Sequence, residues 1–250
     1  MNKAILPLAA AMCLACGTSG TGEEEVPFTL AFAGDPDARR FTNERGWTIE
    51  LEEARVAVGQ LTLVDGEPPT ARLLDRALRL LVPVAHAHAG FDEWDGGRVR
   101  GELLEAVAID ALADEAHPPI DLVGVAGEVR SAVLELAPTS AASLQGYVAR
   151  VRGTATRDGE TVAFEGGLDL GDDPKGRRIA GVPAALTLRE GARVILRVHP
   201  RRWLRGADFS TLEAPAAPGE LRRIQPGTQV HGAFFVGVRS HGAFTLEARD

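Results

Sequence analysis

Cysteine is confined to Cys13 and Cys16, so everything beyond residue 16 is free of it. The body of the chain therefore holds no disulfide and no thiolate metal site, and its stability must come from buried apolar surface. Methionine stops at Met12, which removes the thioether ligands of a soft copper(I) site. Lysine occurs only as Lys3 and Lys175 among 27 basic residues; the rest are arginine, a bias that reads as a GC-rich genome rather than as function. The apolar run Ala4 to Ala15 is broken by Pro7 and falls short of the roughly 20 residues that a spanning helix needs. Catalytic signatures are missing: there is no Gly-x-Ser-x-Gly elbow, no His-Glu-x-x-His, no Walker loop and no dinucleotide fingerprint. No enzyme activity is expected; a hydrolase using a metal-bound water is left open, and among the 35 acidic residues no catalytic carboxylate pair stands out. A formal net charge of −8 disfavours binding to nucleic acid and electrostatic adhesion to anionic lipid.

What is present begins at the N-terminus. Lys3, the apolar run, Cys16, then Gly17-Thr18-Ser19-Gly20-Thr21-Gly22 and Glu23 to Glu25 read as an export signal, a lipidated cysteine and a flexible tether. The segment before Cys16 resembles a bacterial lipobox, which runs Leu, a small residue, Gly or Ala, then Cys. Ala15 fits that pattern, whereas Cys13 and Leu14 depart from it. The expected organisation is a signal over 1–15, a tether over 16–25 and a single domain over 26–250. Lipoproteins of this pattern carry several acyl chains, which stable anchoring requires. Ordinary cleavage after Ala15, leaving a free Cys16, is the competing reading. Gly17 lacks the aspartate that retains some lipoproteins in the inner membrane. The expected location is therefore the cell envelope, lipid-anchored, in the periplasm or at the outer membrane.

Hydrophobic residues make up 45% of the chain and charged residues 25%, ordinary values for a globular protein. Alternation of period two dominates their order. Val26 to Ala33 predicts a first strand and Asp35-Pro36-Asp37 a turn. Trp47 to Leu51 and Ala54 to Val64 follow, with Gly59 as a bend or bulge. Leu73, Leu74, Ala77, Leu78 and Leu81, behind Thr70, predict a helix over 70–81. The stretch 101–116 is ambiguous and is read as strand near Val99 and Val107. Gly127 to Leu136 alternates again. Tyr147 to Ala155 and Thr161 to Leu170 flank Asp158-Gly159 as a hairpin. Val182 to Leu188 and Val194 to Val198 flank Glu190-Gly191 as a second. Arg201 to Leu212 predicts a short helical turn. Ala233 to Val238 and Ala243 to Ala248 predict a closing hairpin around Ser240-His241-Gly242. Together these give an all-β fold, an antiparallel β-sandwich or related barrel with one or two short helices.

His86-Ala87-His88 carries the chemistry. In extended chain the two imidazoles share a face about 6.6 Å apart, within reach of one cation. Asp92, Glu93 and Asp95 follow, and Glu102 opens the next element. Imidazole and carboxylate suit Zn²⁺ or Cu²⁺. His231 and His241, flanking the last apolar run, are the remote ligand candidates. His117 and His199, each before proline, read as strand-end or loop residues. Asp169, Asp172 and Asp173 crowd one turn without matching an EF-hand. Arg201-Arg202-Trp203 suits an anion or a stacked ligand, or a Trp anchor for the local helix. The competing reading of His86 and His88 is an ordinary loop with two histidines.

Gly46-Trp47, His86-Ala87-His88-Ala89-Gly90, Gly101-Glu102, Arg202-Trp203-Leu204, Asp208-Phe209-Ser210 and His231 resemble uncharacterised envelope lipoproteins of predatory soil bacteria with GC-rich genomes. More distantly, the β-rich pattern is similar to periplasmic copper-binding proteins of the methanobactin-associated type. Signal, strands and histidines together read as a membrane-tethered extracytoplasmic binding protein, and the copper-protein resemblance adds to its metal form. Its metal form takes Zn²⁺ or Cu²⁺ through His86 and His88, completed by His231 or Glu102. Its metal-free form is a structural or protein-interaction module of the envelope.

Overall fold

The computed structural model describes residues 24–68, 97–171, 174–214, 217 and 220–249. Thirteen strands are described in chain order: β1 (Glu25–Ala33), β2 (Arg40–Thr42), β3 (Thr48–Val64), β4 (Val99–Leu103), β5 (Val107–Asp110), β6 (His117–Val125), β7 (Gly127–Leu136), β8 (Ala149–Arg157), β9 (Glu160–Leu168), β10 (Arg178–Leu188), β11 (Ala192–Val198), β12 (Arg222–Ile224) and β13 (Phe244–Arg249). The one-turn helix α1 (Pro174–Arg177) and helix α2 (Gln229–Val238) complete the regular elements, with a few short 3-10 turns. The expected all-β class is the observed one.

Strand β3 organises the sheet. Its first half pairs with β8 and its second half with β7 along the same edge, while β2, β5 and β4 take the other edge in turn. The β3–β7 pairing closes a ring in the order β3-β4-β6-β1-β11-β13-β10-β7. Two junctions of that ring, β4–β6 and β10–β13, consist of a single bridging pair each. Strands β8, β9 and β12 extend outward from the first half of β3.

The burial pattern of β3 explains why it reads as two strands in the sequence. Ile49 and Leu51 are buried, then Ala54, Val56 and Val58, then Leu61 and Leu63. The phase slips by one residue twice, and each slip coincides with a register irregularity, at Leu51/Glu53 against β8 and at Val58/Gln60 against β7. A bulge turns the next side chain to the opposite face and keeps the apolar set inward. Gly59, expected as a bend or bulge, sits at the second slip. A Cβ there would lie 2.4 Å from Ala137 Cβ, so no larger residue fits that crossing.

Two expected hairpins are corrected. Asp158-Gly159 does join β8 and β9, which pair over their full length. Glu190-Gly191 also turns the chain, but β10 and β11 are not partners: β13 lies between them, parallel to β10 and antiparallel to β11. Strand β11 instead runs parallel to β1, from Phe28↔Ala192 to Ala33↔Arg197, and Gly191 N donates to Pro27 O at 2.9 Å. Alternation marks a strand as buried without saying which strand is its neighbour. The second correction concerns Ala233 to Val238, which is helical. Val230, Phe234, Gly237 and Val238 are its buried residues, a helical spacing, and Thr228 caps its start by accepting from His231 N. Strand β6 had no counterpart among the expected elements, because Pro118 and Pro119 break the sequence signal; both are exposed near its start.

The segment from Pro200 to Leu212 is held to the turn between β2 and β3 by a buried hub. Asn43, 8% exposed, donates from Nδ2 to Leu204 O (3.0 Å) and Ala207 O (2.8 Å) and accepts at Oδ1 from Arg45 N and Trp47 N. Trp47 Nε1 donates to Asp208 Oδ1 at 3.1 Å, and the Arg157 guanidinium lies 4.4 Å from the centre of the Trp47 ring. Phe209 meets Trp47 edge-on and packs on Phe164. Gly46-Trp47 and Asp208-Phe209-Ser210, part of the resemblance noted above, thus meet in one packing cluster. The Trp203 side chain is fully buried beside Phe234 of α2, the anchoring role.

Asn43→Asp keeps the shape of this hub but replaces its two donors with an acceptor and a charge. Two buried carbonyls then lose their partners, so the variant should lose about 3 kcal/mol, a drop in Tm of roughly 10 °C. Thermal unfolding followed by circular dichroism checks it; an unchanged Tm would mean that Asn43 is not the fastener described.

Candidate functional site

His86 and His88, together with Asp92, Glu93 and Asp95, lie outside the described residues, as do Cys16 and the helix expected over 70–81. The two ends of the connection that carries the histidines are described. Asp65 follows β3 and Arg98 precedes β4. Asp65 N donates to Arg98 O (3.1 Å), Asp65 Oδ1 accepts from Arg98 N (2.8 Å), and Asp65 Oδ2 accepts from Arg100 Nη2 (2.8 Å). Arg100 is 8% exposed and also donates from Nη1 to Ala126 O at 2.9 Å. Gly97 has φ +75°, and a Cβ there would lie 2.3 Å from Asp65 Oδ1, so glycine alone lets the stem close. Ser131 Oγ donates to Gly66 O from β7. Burial alone would raise the Asp65 carboxyl, but the Arg98 N–H and the hydrogen bond and charge of Arg100 outweigh it and hold it below the ordinary carboxylate range.

Glu102 stands exposed on β4, in register with Thr62, whose hydroxyl points to Glu102 Oε1 at 3.5 Å. It is on the strand that leaves the stem. His231 is elsewhere. It lies in the first turn of α2, its N–H bound to Thr228 Oγ1 at 3.1 Å, and it lines a cleft of about 550 Å³ over β8, β9 and β12. Burial pushes its imidazole below the usual histidine range. The cleft residue Gly166 pairs with Val151, and Val151 with Ala54, while Glu102 pairs with Thr62. These two anchor points on β3 are about eight residues apart, roughly 26 Å of strand. The structure therefore does not bring Glu102 and His231 together. His117 has Nδ1 2.7 Å from Pro118 O and meets Phe32 edge-on; His199 Nε2 is 3.0 Å from Thr245 Oγ1. His241 opens a 3-10 turn. Asp169 Oδ1 accepts from Gly171 N, a local turn contact. Among the described residues, no three His, Cys, Asp or Glu side chains converge on one point.

The cleft itself was not foreseen. Tyr147, on its wall, lies across Gly167 of β9: a Cβ on Gly167 would be 2.3 Å from the ring. Arg150 stands between Glu53 (3.5 Å) and Glu165 (3.6 Å), and Arg223 approaches Glu165 at 3.8 Å. The available signal was Gly166-Gly167 within an apolar strand, which marks a close approach of something to the backbone.

No protein-family model matches the chain, and no curated protein matches it. Two solved structures are similar to it. MbnP from Methylosinus trichosporium is 11% identical with a TM-score of 0.42, over 91% of this chain and 100% of that one. A candidate cell adhesion protein from Bacteroides eggerthii is 12% identical with a TM-score of 0.22, over 90% of this chain and 55% of that one. The likeness to the methanobactin-associated type noted from sequence is thus present as a weak structural similarity. Identities and TM-scores of this size support no transfer of function. No helix among the described residues is long and apolar enough to cross a membrane.

The stem makes a prediction about acid. The folded carboxyl of Asp65 titrates below its unfolded value of 3.8. Its contribution is therefore complete above the unfolded value and is lost as pH falls through the folded one. Asp65→Asn should lower Tm at neutral pH and flatten the further fall of Tm below about pH 4. Equal acid slopes in the variant and the parent would show that the stem charge does not matter.

Proposed function

We propose that the chain is a lipid-tethered, extracytoplasmic binding protein of a bacterial cell envelope, and that its His86-Ala87-His88 segment takes Zn²⁺ or Cu²⁺. The observation that carries the metal reading is the stem. A pair of buried Arg100 and half-buried Asp65 ties together the two ends of the 66–97 connection. The donor set is imidazole and carboxylate, and the body lacks thiol and thioether groups. Of the two body residues considered as a third ligand, Glu102 is the one on the stem's own strand, so we take Glu102 rather than His231. The anchoring reading rests on the N-terminal sequence, and β1 begins at Glu25, where the expected tether ends. The alternative reading is a structural or protein-interaction module of the envelope that takes no metal.

Cys16→Ser should move the protein from the membrane fraction to the soluble fraction or leave it unprocessed. Mass spectrometry of the native N-terminus should show an acylated Cys16; an unmodified mature terminus would overturn the anchoring.

Isothermal titration of the metal-free full chain with Zn²⁺ and Cu²⁺ should show saturable binding that weakens as pH falls through about 6.5, where free histidine protonates. Bound metal at a hundredfold excess over its Kd should raise stability by about 2.7 kcal/mol. His86→Ala and His88→Ala should each remove most of that gain and Glu102→Gln part of it, while His231→Ala should leave it intact. Binding unchanged in the His86/His88 double variant would leave the protein-interaction module as the better account.

A further inference from the structure

The cleft at β8, β9 and β12 is remote from the loop stem and has no part in the reading above. We propose that it is a binding site for a neutral saccharide, with Tyr147 as the platform for a pyranose ring and Glu165 and Arg223 as hydroxyl partners.

Three observations converge on that class. The first is size: a cleft of about 550 Å³ falls inside the roughly 300–1,000 Å³ span of small-molecule sites. The second is charge. Arg150 and Arg223 are balanced by Glu165 and Asp169 on the same walls. A cationic ligand meets two guanidinium groups and an anionic one meets two carboxylates, so neither is favoured. The third is unspent hydrogen-bonding capacity. Glu165 sits 3.6 Å from Arg150 and 3.8 Å from Arg223, beyond the 2.7–3.2 Å range of a good N–H···O bond. These charges attract one another yet leave acceptor and donor sites open, with Arg223 75% exposed and Glu165 25% exposed. A hydroxyl both donates and accepts, so it can bridge a carboxylate and a guanidinium at once. Vicinal hydroxyls of a sugar present that pair repeatedly.

Tyr147 supplies the apolar half of the site. Gly167 has no side chain, so the ring lies close over the β9 backbone, and the residue remains 37% exposed. A ring backed by a strand keeps its orientation before a ligand arrives, which lowers the ordering cost of binding. An aromatic body with a polar tip matches the alternating C–H and O–H surface of a pyranose.

The test is a titration of the full chain, held in an amine-oxide detergent that carries no sugar, with chitotriose and cellotriose, followed by heteronuclear NMR. Saturable shifts centred on the amides of Gly166 and Gly167 are expected. Tyr147→Ala, Glu165→Gln and Arg223→Ala should each weaken binding about tenfold or more, the loss of one contact to a charged group or an aromatic face. Glu165→Gln is isosteric and Arg223 is exposed, so these two variants separate loss of the site from loss of the fold. No saturable shift with either sugar, or binding unaffected by Glu165→Gln and Tyr147→Ala, would overturn the proposal. Citrate or spermidine saturating the same amides would overturn it as well, since a charged ligand would then be the one preferred.

Discussion

Strand β3 must satisfy its backbone on both edges over 17 residues, and that obligation shapes the rest of the molecule. No single partner here is long enough, so partners change along it: β8 gives way to β7 on one edge, and β2, β5 and β4 follow each other on the other. Each exchange requires the inward face to be re-established, which the two bulges accomplish. The change at Gly59 decides the architecture, because the strand that joins there, β7, is the one that closes the ring. A side chain at position 59 would collide with Ala137 at that exchange.

Local chemistry was legible in the sequence to the extent that it is local. Asp158-Gly159 fixes a tight turn through two positive φ values, so the β8–β9 hairpin could be read from a dipeptide. Glu190-Gly191 carries the same kind of signal, yet the partners of β10 and β11 are settled by strands far away in the chain. Their pairing is non-local, and alternation is silent about it. The helix Gln229–Val238 shows a different failure. Its run of apolar residues suits a strand by composition, and Phe234, Phe235 and Val236 outweigh the signal of Thr228, the cap that starts the helix.

The candidate sites divide in the same way. His86-Ala87-His88 was visible because two like residues on one extended face make sense without any fold. Glu102 and His231 were both plausible completions until the register of β3 separated them. The saccharide cleft was invisible because its parts come from β8, β9, β12 and the first turn of α2, and Tyr147, Glu165 and Arg223 are unremarkable where each stands in the chain. Only the glycine pair in β9 hinted that another group rests on that strand.

The position of β13 has a consequence for the timing of folding. It is the last strand in chain order, yet it sits inside the ring, between β10 and β11. Strand β1, the first, in turn waits for β6 and β11 before its edges are filled. A nascent chain emerging from its N-terminal end therefore cannot shut the ring until β13 is available; until then β10 and β11 each lack one neighbour, while the partners of β1 and β3 have already been made. For a chain exported as proposed, a body whose β13 has not yet emerged cannot hold the closed ring.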